Sequence, residues 1–308
     1  MPAYPARIDP RNGNFSTASD QPADRLDRAI RAARPDLSWG QIRSLIERGK
    51  VRVAGTLATE SGQLVPPGSA VSIDVAAPRR SKAAGAPPLA AERVLHQDRE
   101  VVVVDKPAGL PTVPFGDQSD TLEQRLKALL GQPVHVVQRL DRDTSGVLVF
   151  ARTRAAFEHL EHQFRRHTVH RRYLALAHGE VAGGTIRTFL GPDRGDGLRG
   201  SIPNQELGKE AITHVEPLQA LRGATLIACR LETGRTHQIR IHLAERGHML
   251  LGERGYVRDH RGPVLPAPRL MLHAAELGFV HPGREVPMRF QVPLPDDLTA
   301  VLDSLRPA

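Results

Sequence analysis

Apolar positions recur at helical spacing close to the start of the chain, which predicts two short amphipathic helices. The apolar positions of the first helix are Leu26, Ile30, Ala33 and Leu37. The second helix is predicted to begin at Ser38, because Gln41 follows three residues later and completes a capping box. Its apolar positions are Ile42, Leu45 and Ile46. Gly49 suits the left-handed backbone that often ends a helix.

Alternation of apolar and polar residues replaces the helical pattern after Gly49 and predicts strands. The run 51–53, a turn at Gly55 and the later run 71–75 would form a small sheet that follows the two helices. Beyond residue 90 the strand patterns lie at 101–104, 147–151, 173–177 and 225–231, with helical patterns at 121–130 and 155–166. We therefore expect an α+β protein, with a small helix-helix-hairpin domain followed by a larger unit rich in strands.

Composition divides the chain into four segments. Residues 1–21 have few apolar side chains and are predicted to be a disordered arm. Residues 22–77 form the small domain. Residues 78–90 contain three prolines and three basic residues and are predicted to be a semi-extended linker. Residues 91–308 form the larger domain.

The overall composition is that of a globular protein, with 40% apolar and 25% charged residues among 308. No run approaches the roughly 18 apolar residues that a membrane-spanning helix needs, and the first 20 residues lack the apolar core of a signal peptide. Cys229 is the single cysteine, which excludes an intramolecular disulfide and favours a reducing compartment. We expect a cytoplasmic monomer that makes no contact with a membrane.

The net charge is strongly positive. Lys and Arg outnumber Asp and Glu by 42 to 34, which gives +8 and a pI near 10.3, a balance typical of proteins that bind nucleic acids. In the small domain, the second helix and the hairpin carry four basic residues: Arg43, Arg48, Lys50 and Arg52. We interpret them as a surface that contacts an RNA backbone. The alternative is a structural role for this domain, as a folding cap or a dimer interface.

The segment RLDRDTSG at 139–146 joins two strand patterns and holds the first candidate for chemistry. Asp141 has two interpretations. It could cap its own turn, as aspartates often do. Alternatively, the flanking cations Arg139 and Arg142 would keep its carboxylate ionised, as a nucleophile requires.

A second candidate lies in the segment ETGRTHQIRIH at 232–242. Ile239 and Leu243 are four residues apart on one face of a predicted helix, and Arg240 lies between apolar residues. A buried guanidinium needs a partner carboxylate. The pair would be either part of a functional site or a structural salt bridge.

Arginines and histidines crowd the segment 152–172, which includes Arg165 and Arg166. We expect a solvated surface that faces RNA. His159 and His162 are three residues apart, a spacing that could bind a metal ion, but no cysteine or further acid completes a site. We therefore predict no metal.

Residues 25–74 resemble the αL-type RNA-binding domain of ribosomal protein S-four and several RNA-modifying enzymes. The likeness lies in the Arg-Leu-Asp start, the Ile-x-x-x-Ile-x-x-Gly-x-Val-x-Val centre and the Pro-x-Gly-x-x-Val end. This resemblance implies that the small domain binds RNA.

The larger domain resembles the RluA-type pseudouridine synthase family over nearly its whole length. Six motifs occur in the family's order: VVVVDKPAGLP (101–111), QRLDRDTSGVLVFART (138–153), HRRYLALAHG (170–179), GKEAITH (208–214), TGRTHQIRIHL (233–243) and LMLHAAELGFVHP (270–282). The resemblance implies a mixed, mainly antiparallel sheet in two halves with the active cleft between them. It also implies that uridines in RNA, with large-subunit ribosomal RNA preferred over tRNA, are isomerised to pseudouridine without a cofactor.

By the same resemblance, Asp141 would be the catalytic aspartate and Tyr173 would stack on the target uracil and take part in proton transfer. Arg240 would pair with the aspartate, and Arg139 would fill the space left by the flipped nucleotide. The sequence departs from the family at Gln138, which replaces a histidine, at Met249 in Gly-His-Met, and at Glu253, which replaces an aspartate. None of these departures is expected to touch the aspartate, the tyrosine or the arginine.

Two other function classes compete with this interpretation. A non-catalytic RNA-binding or ribosome-assembly factor would be expected to have lost Asp141, Tyr173 or Arg240, and all three are present. A retaining glycosidase with Asp141 as its nucleophile would need a second carboxylate about 5 Å away, and no second acid fits the resemblance.

Overall fold

The computed structural model describes residues 13–17, 24–58, 61–77, 87–114, 120–194, 198–203 and 205–307. These residues fall into two compact units, one that ends at residue 77 and one that begins at residue 87. The division falls in the segment predicted to be a linker, of which residues 78–86 lie outside the described ranges. Within those ranges no helix is both long and apolar enough to cross a membrane.

The N-terminal unit contains the two predicted helices and two small sheets. Its helices are α1 (Leu26–Ala33) and α2 (Trp39–Glu47), and its strands are β1 (Gly13–Ser16), β2 (Asp24–Arg25), β3 (Val51–Val53), β4 (Thr56–Leu57), β5 (Leu64–Val65) and β6 (Ala70–Ile73). One sheet has the order β1-β6-β3-β4, and β2 pairs with β5. The apolar faces of both helices close on these strands in one core.

The capping box that opens α2 is present as predicted. The Ser38 hydroxyl accepts a hydrogen bond from the Gln41 N–H, and the Gln41 side chain accepts one from the Ser38 N–H at 2.7 Å. At the other end, Gly49 has a φ of 71°, the left-handed conformation expected after this helix. Both ends of α2 are therefore determined by local sequence.

Strand β1 differs from the prediction of a disordered arm over residues 1–21. Gly13–Ser16 pairs antiparallel with β6, and the Phe15 side chain packs against the core of the unit. The sequence does not predict this strand, because Phe15 is its only large apolar residue. One apolar contact and pairing with the edge of β6 are enough to place so short a strand. The rest of the predicted arm, 1–12 and 18–21, lies outside the described residues.

The larger unit is built on one sheet of eleven strands. These are β7 (Val94–Gln97), β8 (Val101–Lys106), β9 (His135–Val136), β10 (Ser145–Ala151), β11 (His170–His178), β12 (Gly184–Gly191), β13 (Gly200–Ser201), β14 (Lys209–Leu221), β15 (Ala224–Leu231), β16 (Leu272–Val280) and β17 (Pro287–Gln291). The main path is β13-β12-β14-β15-β11-β16-β10-β8-β7, with β17 on β16 and β9 on β10. Its helices are α3 (Leu122–Leu130), α4 (Arg154–Arg165), α5 (Gln238–Glu245) and α6 (Asp296–Ser304).

Every described strand pair of this sheet is antiparallel except β10 with β16, which confirms the prediction of a mixed, mainly antiparallel sheet. Strand β10 is buried along its whole length, with Leu148 and Phe150 in one apolar cluster and Val147 and Val149 in another. Burial on both faces explains why its sequence is a continuous apolar run rather than an alternation.

Gly146 permits the close approach of β10 and β16. Its φ is 115°, and a Cβ atom at this position would lie 2.2 Å from the Ala274 carbonyl oxygen. Only glycine tolerates both the conformation and the contact. The loop that precedes β10, which carries Asp141, is therefore placed at the parallel joint in the centre of the sheet.

Candidate active site

The loop that carries Asp141 is held at two points by side chains from the segment after β8. The Thr112 hydroxyl donates to the Leu140 carbonyl at 2.8 Å and accepts from the Leu140 N–H at 3.1 Å. Lys106 is fully buried, and its Nζ donates to the carbonyl oxygens of Pro107, Leu110 and Arg142 at 2.8 to 2.9 Å. The backbone on both sides of Asp141 is thereby fixed.

Burial lowers the pKa of Lys106 to about 7, and the nearby carboxylates of Asp143 and Asp141 oppose this effect. The three carbonyl acceptors match the three hydrogens of a protonated amine. Lys106 therefore acts as a buried connector between the end of β8 and the loop of Asp141.

We predict that Lys106→Met destabilises the larger unit by at least about 2 kcal/mol, because three carbonyl groups, one of them in a fully buried hydrogen bond, lose their donor. Urea unfolding at pH 7 measures the effect. Lys127→Met, at an exposed position on α3, is the matched control and should cost less than about 0.5 kcal/mol. Equal stability of the Lys106 variant and the wild type would contradict this connecting role.

Asp141 pairs with Arg240, as the resemblance predicts. An Arg240 nitrogen lies 3.1 Å from Asp141 Oδ2, and the second carboxylate oxygen, Oδ1, lies 3.7 Å from Nε2 of His237. Burial favours the protonated carboxyl, yet the pKa of Asp141 lies below its ordinary value, with the permanently charged Arg240 guanidinium donating to Oδ2. The carboxylate is therefore ionised at neutral pH.

Arg240 is itself anchored by Glu253, the residue that follows the Leu-Gly turn. Two Arg240 nitrogens donate to the two Glu253 carboxylate oxygens at 2.7 and 2.8 Å, a bidentate pair in which the glutamate side chain is fully buried. The backbone N–H groups of Gly255 and Tyr256 also donate to Glu253. Although burial opposes ionisation, Arg240 and these N–H groups lower the pKa of Glu253 to about 2.

The contact between Glu253 and Arg240 corrects the expectation that no departure from the family touches the three key residues. Glu253 contacts Arg240 directly and orients its guanidinium toward Asp141. Because a glutamate is one methylene longer than an aspartate, the sequence alone gives no measure of whether the carboxylate reaches Arg240. The two hydrogen bonds between the side chains show that it does.

Tyr173 lies on β11, at an irregularity in its pairing with β16 between Arg172 and Tyr173. Such a bulge re-aims a side chain relative to its neighbours. Burial raises the pKa of Tyr173, and the Asp141 carboxylate adds to the effect, so the phenol keeps its proton at neutral pH. The side chain is thus an aromatic surface with one proton available.

Four of the residues singled out for the larger domain, Arg139, Asp141, Tyr173 and Arg240, meet in one small cleft. Its lining residues are Arg139, Leu140, Asp141, Thr144, Tyr173, Leu231, Arg235, His237, Gln238, Ile239, Arg240 and Leu272. Arg139 is exposed at the cleft, and Asp141, Tyr173 and Arg240 are partly or fully buried in it. Four separate stretches of chain therefore contribute to one concave surface, while the roles of their residues stay predictions.

His237 is a further residue of the cleft and was not singled out in the sequence. It precedes α5 with a φ of 59°, a left-handed conformation that is uncommon for residues other than glycine. The Thr-Gly turn followed by a histidine at a helix start was the available signal. Its side-chain direction depends on a backbone conformation that spacing does not reveal.

The basic residues predicted to contact RNA are in different environments. Arg48 and Arg52 are exposed on the N-terminal unit, whereas Lys50 is only 8% exposed and donates to the Ala77 carbonyl, so it is not available at the surface. Arg43 is half-buried and lies 3.7 Å from the buried carboxylate of Asp27. The prediction that Lys50 contacts RNA is therefore wrong. Alternation with Val51 indicated an exposed side chain, but after the left-handed Gly49 the Lys50 side chain lies inside the unit.

Arg165 and Arg166 lie at the end of α4 in the larger unit, and both are exposed. Arg165 pairs with Glu161 at 2.8 Å, four residues earlier on the same helix. Such an exposed pair contributes little to stability and can exchange for an RNA phosphate. These two arginines remain candidates for RNA contacts.

One group of potential metal ligands does occur among the described residues, at His96, Asp98 and His281. His281 Nδ1 accepts from the backbone N–H groups of Gly283 and Arg284, so its proton is on Nε2 and is donated to Asp98 at 2.8 Å. Arg284 also donates to the same Asp98 oxygen. These contacts favour a hydrogen-bonded cluster, because Nε2 must lose its proton to bind a metal ion.

A family model described as RNA pseudouridylate synthase matches residues 100–245. The chain is similar to YlyB of Bacillus subtilis, named an uncharacterized RNA pseudouridine synthase, with 33% identity over 306 residues that cover 95% of this chain and 98% of the relative. It is also similar to the ribosomal large subunit pseudouridine synthase D of Xylella fastidiosa, with 36% identity over 92% of this chain and 89% of the relative.

Solved structures show the same fold. A human protein titled RNA pseudouridylate synthase domain containing 4 matches with a TM-score of 0.57 and 24% identity, over 69% of this chain and 92% of that chain. Human RNA pseudouridylate synthase domain containing 1 matches with a TM-score of 0.55 and 25% identity, over 68% and 86% of the two chains. The chain therefore shares its fold with these structures, and its cleft contains the aspartate-arginine pair that the resemblance predicts.

Proposed function

The chain belongs to the RNA pseudouridylate synthase family, and from this premise we propose that it isomerises specific uridines of large-subunit ribosomal RNA. The observation that carries the proposal is the ionised Asp141 carboxylate, held by Arg240 in a cleft that also contains Tyr173. The preference for large-subunit ribosomal RNA rests on the names of relatives from Xylella, Zymomonas and Nitrosomonas.

The reaction breaks the bond from ribose C1′ to uracil N1, turns the base and forms a bond from C1′ to C5. The proton that leaves C5 is balanced by one that N1 gains, so nothing is oxidised, reduced or hydrolysed. Asp141 supplies the lone pair that the reaction needs, whether it attacks the sugar or the base or removes a ribose proton. Because atoms and electrons balance within the substrate, the reaction needs no redox or group-transfer cofactor.

Access to the uracil requires that the nucleotide leave its stack, at a cost of a few kcal/mol. Tyr173 offers an aromatic surface for the extruded base and a neutral phenol for a proton transfer. Arg139 is exposed beside the cleft, where it can occupy the space that the nucleotide leaves. Both roles are those that the family resemblance implies, and the presence of these side chains in one cleft with Asp141 supports them.

The proposal is tested by pseudouridine mapping on total RNA from cells with and without the gene, by carbodiimide labelling and primer extension. We expect sites in large-subunit ribosomal RNA to disappear without the gene and to return with the wild-type gene. Loss confined to tRNA would retain the enzyme class and overturn the substrate. No change at any site would favour a non-catalytic RNA-binding protein.

We also propose that the N-terminal unit contacts RNA phosphates through Arg48 and Arg52. The double variant Arg48→Ala/Arg52→Ala should weaken RNA binding uniformly across sequences. It should also reduce the slope of log K against log salt by about 1 to 2, because each lost phosphate contact releases one counterion fewer. Filter binding between about 50 and 200 mM salt measures both quantities.

The matched control for this pair is Arg306→Ala, an exposed arginine near the end of the larger unit that pairs with Asp303. It should leave the salt slope unchanged. An unchanged slope in the double variant would return the N-terminal unit to a structural role.

A further inference from the structure

His237 occupies a strained position at the edge of the cleft. Its φ of 59° places a bulky ring in the left-handed backbone region, which is unfavourable for residues other than glycine. The residue begins α5, yet its side chain makes no hydrogen bond that caps this helix. A residue kept in a strained conformation without a capping function points to a role for the ring itself.

The two ring nitrogens of His237 face two different groups. Nδ1 lies 2.7 Å from the Tyr256 hydroxyl, and the rings meet edge to face with centroids 5.6 Å apart. Nε2 lies 3.7 Å from Asp141 Oδ1. Arg240 holds the other carboxylate oxygen, Oδ2. The two oxygens of Asp141 therefore have separate partners, one cationic and bonded, the other an imidazole just beyond bonding distance.

The contact with Tyr256 determines which nitrogen of His237 carries the proton. Tyr256 is buried, and burial raises its pKa, so the hydroxyl is protonated throughout the neutral range. Among the described residues, His237 is the one group that accepts a hydrogen bond from this hydroxyl. We therefore assign Nδ1 as the acceptor, which satisfies this buried hydroxyl and puts the proton of the neutral imidazole on Nε2, toward Asp141.

We propose that His237 is a positioning residue for Asp141, and that its Nε2–H orients the reactive carboxylate oxygen while Arg240 holds the other. This inference rests on the proposed function, since it assigns the catalytic role to Asp141. A shift of less than 1 Å would bring Nε2 from its 3.7 Å separation to hydrogen-bond distance of Oδ1. Tyr256 acts one step further away, by fixing the tautomer.

A neutral donor has an advantage over a second cation at this place. An imidazolium would add a second positive charge beside Asp141, stabilise the free carboxylate and lower its reactivity toward the substrate. The charged and titratable groups that face His237 are Asp141, Arg240, Glu253, Arg199 and Tyr256. Burial lowers the pKa of His237, and Asp141 opposes this effect without overcoming it, which keeps the ring neutral at physiological pH.

The test separates this role from a purely structural one by the choice of variants. His237→Gly removes the ring and relieves the strained backbone, which offsets part of the stability lost with the hydrogen bond to Tyr256, and urea unfolding checks that the variant stays folded. His237→Asn keeps a side chain that tolerates the left-handed conformation but is too short to reach Asp141. Tyr256→Phe keeps the aromatic ring and removes the hydroxyl that selects the tautomer.

With the full-length protein and a ribosomal RNA fragment that contains a mapped site, single-turnover rates at saturating RNA should fall at least 10-fold in both His237 variants. The RNA Kd should change by less than twofold. Added imidazole should restore part of the rate of His237→Gly, which a structural role would not predict. In the wild type the rate should fall on the acid side as His237 gains a proton, and this acid limb should move to lower pH in His237→Gly.

Histidine nitrogen NMR gives a readout that is independent of turnover. The wild type should show His237 with its proton on Nε2, and Tyr256→Phe should show a mixture of tautomers. A proton on Nδ1 in the wild type, or wild-type rates in His237→Gly, would overturn this proposal alone. If the wild-type protein isomerises no uridine in any RNA, the proposed function fails, and the NMR result still decides which group His237 faces.

Discussion

Asp141→Asn should abolish pseudouridine formation, with a fall in the single-turnover rate on the order of 10⁴-fold or more, the scale seen when a catalytic nucleophile or base is removed. The amide has the shape of the carboxylate, and its oxygen can still accept from Arg240. It has no negative charge and no lone pair of comparable basicity. The loss is therefore chemical rather than structural.

RNA binding by this variant should stay within about twofold of the wild type, because Arg139 and the exposed arginines are unchanged and phosphate contacts dominate affinity. Asp143→Asn is the matched control, since Asp143 lies two residues away in the same loop and is half exposed. It should retain turnover within a few-fold. Comparable turnover by Asp141→Asn and the wild type would refute the catalytic role of this carboxylate.

Glu253→Gln should destabilise the larger unit by about 3 to 5 kcal/mol, because it breaks a buried, bidentate ion pair. The neutral amide has one oxygen acceptor in place of two charged ones, so it holds the Arg240 guanidinium less strongly. Catalysis should fall as well, since Arg240 would no longer be oriented toward Asp141. Urea unfolding at pH 7 measures the stability. Glu253→Asp, which keeps the charge on a shorter side chain, should lose distinctly less.

The same pair gives a pH dependence with a defined sign. Glu253 has an ordinary pKa near 4.5 and a pKa of about 2 in the folded protein. A lowered pKa contributes stability that is present above about pH 4.5 and is lost as the pH falls toward 2. Unfolding free energies between pH 5 and pH 3 should therefore decline more steeply in the wild type than in Glu253→Gln. Parallel curves would contradict the contribution of this carboxylate.

The sequence predicted the elements whose determinants are local. The capping box of α2 needs only Ser38 and Gln41, three residues apart, and its C-terminal end needs only Gly49. The continuous apolar run of β10 predicted a buried strand. The contact between Asp141 and Arg240 was predicted from the resemblance of the ordered motifs to the family. Their separation of 99 residues along the chain does not by itself indicate that they are close.

Several features depend on which distant segments the fold brings together. Strand β1 forms because β6 offers it an edge, and Lys50 turns inward because the Ala77 carbonyl lies beside it. Glu253 reaches Arg240, and His237 reaches Asp141, only through the turn after α5 and the left-handed residue before it. None of these contacts follows from the residues on either side.

The sequence by itself determined the α+β class through apolar periodicity and helix caps. Through the resemblance of its ordered motifs it also indicated the family and four residues of the cleft, Arg139, Asp141, Tyr173 and Arg240, because these patterns lie in continuous segments of the chain. The tertiary structure decided how the carboxylate is held. Arg240 pairs with the ionised Asp141, His237 faces the second oxygen of this carboxylate, and Glu253 orients Arg240. Electrostatic interactions of this kind depend on distance and burial, and both are set by the packing of segments far apart in the chain.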